Sequence, residues 1–153
     1  MKKMKKLWVL ATFFIALHAC SQMSDAYQAS TPCSPGTKPL PGIPKDAPCE
    51  LIKWKLVLQQ HTYQLDAVWG MPKQGTRGFI NGGTAVHRQG KWAMVKGLPA
   101  NPAAIVYRLD PDNPATAISF LRLNDNLLHL LDGDGHLMIG TGAWSYTLNK
   151  IPQ

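Results

Sequence analysis

The sequence predicts an all-β protein, a small antiparallel meander barrel of about eight strands. From Glu50 onward apolar and polar residues alternate with period two, run after run, the signature of strands with one buried face. The runs are short and separated by clusters of Gly, Pro, Asn and Asp, the residues that make tight turns. Beyond the first twenty residues no stretch carries a helical apolar period for more than a turn or two. A barrel is preferred to a sandwich because each strand can hairpin to the next, and closure removes edges that would invite aggregation.

The chain opens MKKMKKLWVLATFFIALHAC. A lysine cluster, an apolar run from Leu7 to Leu17 and a small residue before a cysteine have the layout of a bacterial secretory signal over residues 1–19. The run is shorter than the roughly 20 apolar residues that span a bilayer, so the expectation is export. Leu17-His18-Ala19-Cys20 resembles the lipobox of bacterial lipoproteins, in which the cysteine is acylated and becomes the new amino terminus; His18 departs from the usual small or β-branched residue. Cys20 is thus the expected lipid attachment site, and several acyl chains together hold a protein firmly. Ser21, where an aspartate would signal inner-membrane retention, implies the outer membrane with the domain facing the periplasm. Lys2, Lys3, Lys5 and Lys6 leave with the signal, so twelve basic residues remain against nine acidic, and the net charge falls from +7 to +3. The remaining bases are scattered rather than gathered in a stripe, which argues against nucleic acid as a partner.

Residues 20–48 read as a lipidated N-terminus and flexible tether, because the segment is dense in Pro, Ser, Gly and Thr. Extended at about 3.1 Å per residue, it would hold the domain several tens of ångströms from the membrane. The barrel is expected over 49–153. In ELIKWKLVL, Ile52, Trp54, Leu56 and Leu58 share one face and Lys53 and Lys55 the other; in TYQLDAVWG, Tyr63, Leu65, Ala67 and Trp69 alternate with Thr62, Gln64 and Asp66. Further strands are expected at TAVHRQ, GKWAMV, AAIVYRLD, TAISFLRL, NLLHLL, GHLMI and WSYTLNK. An eight-stranded interior either fills with side chains or holds one small ligand; with strands this short and so many large residues, filling is expected.

The pieces DAPCELIKWKLVL, TYQL, GKWAM, SFLRLNDNLLHLLDGDGHLM and SYTLNK resemble, in order and spacing, the N-terminal domain of the NlpE outer-membrane lipoproteins. The resemblance covers essentially the whole globular part. It implies a lipocalin-like barrel and a non-enzymatic role in copper tolerance and envelope stress, exerted through contact with an envelope sensor protein. Two departures limit it. Where the family has CxxC, Asp46-Ala47-Pro48-Cys49 keeps only the second cysteine. The sequence stops at Gln153, before the OB-like second domain of longer members, so metal binding by CxxC and redox sensing by that domain are not carried over.

With Cys20 assigned to lipid, Cys33 and Cys49 remain, and an oxidising periplasm favours a disulfide between them; two free thiols or a metal role are the alternatives. His61, His87, His129, His136, Met71, Met94 and Met138 offer copper ligands in kind, but no two at a ligand-like spacing, so weak adventitious copper binding is expected and no dedicated metal or cofactor site. DGDGH lacks the twelfth-position carboxylate of an EF-hand, Ala143 standing there, and reads as a turn. No nucleophile elbow, P-loop or dinucleotide fingerprint is present. Two other functions fit less well: a carrier of a small hydrophobic ligand, which needs an open cavity, and an inhibitor of a cell-wall-degrading enzyme, for which Arg77 in GMPKQGTRGFINGG is the candidate cation.

Overall fold

The structure, a computed structural model, describes residues 24–34 and 36–152; the expected signal 1–19 and Cys20 lie outside the described residues. Eight antiparallel strands form a closed barrel in sequence order: β1 (Asp25–Pro32), β2 (Leu51–Leu58), β3 (Thr62–Gly70), β4 (Thr84–Leu98), β5 (Asn101–Leu109), β6 (Ile118–Asn124), β7 (Leu127–Leu130) and β8 (Thr147–Ile151). The ring closes where Ala26, Tyr27 and Gln28 of β1 pair with Ile151, Lys150 and Asn149 of β8. A single short 3-10 turn, Ile80–Gly82, is the helical content of the described residues.

β1 corrects the tether expected over 20–48. DAYQASTP is rich in Ser, Thr and Gln, yet it pairs with β2 along its whole length, Tyr27 opposite Leu56, Ala29 opposite Trp54 and Thr31 opposite Ile52. These opposed residues share the inward face. Thr31 is fully buried, and its hydroxyl accepts a hydrogen bond from Trp54 Nε1 at 2.8 Å. A hydroxyl with a partner is as acceptable there as an apolar group.

Two further differences concern strand boundaries. TAVHRQ and GKWAMV are one strand, β4, whose first half pairs with β3 and whose second half pairs with β5. Gly90 is no break between them: it faces Tyr63, and a Cβ there would stand 2.9 Å from that ring and 2.3 Å from Asp110 Oδ1. GHLMI is not a strand, keeping only an isolated bridge between Leu131 and Leu137.

The barrel axis is packed. Ile52, Trp54, Leu56, Tyr63, Leu65, Leu109, Phe120, Leu128, Leu130, Tyr146 and Leu148 belong to one buried cluster, with Trp92 and Tyr107 against it, their ring centroids 4.9 Å apart. Burial removes water from the phenols of Tyr27 and Tyr63 and pushes both up to about 12, with neighbouring carboxylates, Asp25 for Tyr27 and Asp110 for Tyr63, adding to the effect.

Because the strands alternate in direction, connections alternate between the two ends. The turns β2–β3, β4–β5 and β6–β7 leave no more than three residues between strands, whereas β1–β2, β3–β4, β5–β6 and β7–β8 are long. The long connections leave from one end of the barrel, where β1 finishes and β2 begins. That end is closed by the β1–β2 connection, a strap in which Leu40 and Ile43 join the core cluster and Ala47 packs against it.

Candidate functional site

The long-connection end carries a groove of about 770 Å³. Three connections wall it: the strap through Gly36–Pro41, β5–β6 through Pro111, Pro114 and Ala117, and β7–β8 through Leu131–Gly133 and Leu137–Ile139. A different local device holds each wall.

The strap is stapled at its base by a disulfide between Cys33 and Cys49, both buried. Cys33 N–H donates to Glu50 O at 2.9 Å, so the staple continues the β1–β2 ladder by one rung. Leu40, 1% exposed, anchors the middle of the strap in the core. Lys38 donates to Pro44 O and, at 3.0 Å, to Ala47 O, tying the strap to itself and satisfying carbonyls that have no strand partner.

The β5–β6 wall hangs on a charged network. Since β5 first meets β4 at Trp92 opposite Leu109, the first half of β4 has no strand on that side, and residues 110–117 lie there. Arg88 of β4 donates to Asp110 Oδ2 at 2.7 Å and to Thr116 O at 2.6 Å, and Tyr63 Oη donates to the same Asp110 oxygen at 2.8 Å. Both charged side chains are largely shielded, at 16% and 22% exposure. Asp110 adopts φ 48°, a region that a short polar side chain tolerates when it is held in place.

The β7–β8 wall begins with a tight turn. Asp132 Oδ1 accepts from Asp134 N at 2.9 Å and His136 N at 2.8 Å, and Gly135 takes φ 83°. The backbone amides hold the Asp132 carboxyl below the usual carboxylate range. Its oxygens are therefore engaged in shaping the turn expected at DGDGH. His129 braces the return of this connection, Nδ1 2.9 Å from Thr147 Oγ1 and Nε2 2.9 Å from Met138 O. Between the walls, Arg108 Nε donates to Ser119 Oγ at 3.2 Å on the groove floor. Leu137 and Ile139 stand 47% and 85% exposed at the rim.

The sequence-marked residues are dispersed around this frame. Cys33 and Cys49 are brought together as expected. The histidines are not: His61 is exposed at the β2–β3 turn, His87 lies 2.6 Å from Asp66 on the barrel exterior, and both nitrogens of His129 are engaged. Among the described residues one group of three, Asp132, Asp134 and His136, brings possible ligand atoms within 4.8 Å of one another, all on exposed side chains. Arg77 sits on an exposed hairpin tip, where Pro72 bridges to Phe79, and Lys53 donates to Arg77 O from above the Phe79 ring. Sequence reasoning missed Arg88, Arg108 and Asp110. The aspartate lies 22 residues from its arginine, and only the register of β4 brings the two together.

Compared with family profiles, with curated proteins and with solved structures, the chain matches none.

Proposed function

We propose that this chain is a lipid-anchored envelope protein of the NlpE type, on the periplasmic side of the outer membrane, acting in copper tolerance and envelope stress by protein contact rather than by catalysis. The observation that carries the reading is the groove. Its walls are fixed by a disulfide, a shielded ion pair and a capped turn, yet its rim leaves Leu137 and Ile139 in water. Rigid walls lower the ordering cost of association, and exposed aliphatic groups beside a concave surface supply apolar area to a partner. The packed axis leaves the carrier reading without a chamber for its ligand.

The test is complementation. In a copper-sensitive strain lacking this protein, the wild-type chain should restore growth on copper, and the double variant Leu137→Asp, Ile139→Asp should not, with unchanged amount and unchanged urea midpoint. Full restoration by the double variant would refute the groove as the contact site. A photo-crosslinker at Ile139 should capture an envelope sensor protein. The exposed cation at Arg77 favours one second reading, inhibition of a wall-degrading enzyme; capture of such an enzyme from Arg77, with none from Ile139, would establish it instead.

A further inference from the structure

We propose that the short-turn end of the barrel rests on the phospholipid surface, so that the strap and the Arg77 hairpin point away from the membrane. The inference depends on Cys20 being the lipid attachment site, as read above, and on where β1 starts.

β1 runs from the short-turn end, at Asp25, to the strap, at Pro32. The chain therefore enters the barrel at the short-turn end. Only residues 21–24 separate Cys20 from β1. Five Cα steps reach at most about 18 Å. The eight residues of β1 run about 26 Å along the strand, so an anchor on that leash draws the start of β1, not its end, to the headgroups.

The surface at that end suits a phospholipid headgroup layer. Asp25 and the end of β8 meet there, with Lys150 2.6 Å from Asp25, and Arg122 pairs with Asp125 at the β6–β7 turn. With those acids neutralised, exposed Lys91, opposite Thr62 at the start of β3, and exposed Lys96, farther along β4 toward the β4–β5 turn, leave a positive excess. Toward the same end Met94 and Leu123 are 56% and 48% exposed, in the halves of β4 and β6 that lead to the β4–β5 and β6–β7 turns. Cations that attract phosphate, next to apolar groups that can enter the headgroup boundary, make a membrane-facing surface.

The experiment anchors the chain at Cys20. Because Cys33 and Cys49 are joined, the mature chain starting at Cys20 offers one thiol for a maleimide lipid in vesicles of phosphatidylethanolamine and phosphatidylglycerol. A fluorescent amino acid is placed at Gln60, in the β2–β3 turn, or at Gln74, in the Arg77 hairpin, and quenched by a nitroxide on the lipid headgroup. Over this span, quenching at Gln60 should exceed that at Gln74 by at least about twofold. Equal quenching, or more at Gln74, overturns the orientation. Met94→Glu with Leu123→Glu should narrow the difference while leaving the urea midpoint in place; an unchanged difference would remove these side chains from the contact. The mass of the protein isolated from cells tests the anchor separately, since a chain without acyl groups would refute the anchor and with it the cellular relevance of the orientation, whatever the vesicles report.

Discussion

Asp110 ties β3, β4 and the β5–β6 connection together through one carboxylate oxygen. It accepts from Arg88 and Tyr63 at once and holds its backbone at φ 48° to do so. Removing it strands a mostly shielded guanidinium, the situation in which a single deletion costs more than the pair contributes. Asp110→Ala should therefore destabilise the fold by about 3 kcal/mol in urea unfolding, and adding Arg88→Met should recover part of the loss. Additive losses would show that the two side chains act independently.

Tyr27 makes a different prediction. Its phenol has an ordinary value of 10 and is raised to about 12 by burial. The neutral form is thus the one the fold favours, so its contribution is complete below pH 10 and is lost as the pH rises from 10 to about 12. Urea midpoints across that window should fall less steeply for Tyr27→Phe than for the wild type. Parallel slopes would mean that the phenol ionises as freely in the barrel as in the unfolded chain.

The strap is the element whose stability is most separable from the ladder. It has few backbone bonds of its own and holds by a disulfide and by Leu40. Reducing the disulfide, which closes a separation of 16 residues, should lower stability by about 3 kcal/mol in the chain-entropy account. Leu40→Ala should cost about 2–4 kcal/mol by leaving a cavity at the barrel mouth. Both are read as shifts in the urea midpoint, and a strap that merely covered the surface would show neither.

Elements differ in how legibly they are written. β2 and β3 are plain, faces included, because lysines, glutamine and aspartate mark the outside against Trp, Leu and Tyr within. β1 is hidden by composition, its inward set being Tyr27, Ala29 and a threonine satisfied by a tryptophan. GHLMI has the alternation of a strand but lacks a neighbour to pair with for more than one bridge. The disulfide is expected from cysteine use once Cys20 is set aside for lipid, and Cys33 and Cys49 are joined. The groove could not be read from the sequence, since its walls come from three connections that become neighbours only when the barrel closes.

At the scale of the molecule, closure is the property that everything else depends on. β1 is paired on both sides, to β2 and to β8. A chain beginning at Cys33 should therefore leave two open edges and aggregate, whereas one beginning at Ser24 should keep the wild-type elution volume and urea midpoint. Gel filtration and urea unfolding distinguish these outcomes; a soluble, cooperatively folding chain from Cys33 would mean that β1 is dispensable.

The β1–β8 seam also sets an order of events. Delivered amino terminus first to the compartment where it folds, the chain presents β1 before β8, and the residues that meet at the seam, such as Tyr27 and Lys150, stand at opposite ends of the described chain. Until Thr147–Ile151 arrives, the chain can build the hairpins from β1 onward but must hold an unzipped sheet, with the first strand waiting for the last. The moment of greatest exposure therefore falls late, when nearly all of the apolar surface exists and the final five-residue strand has yet to arrive.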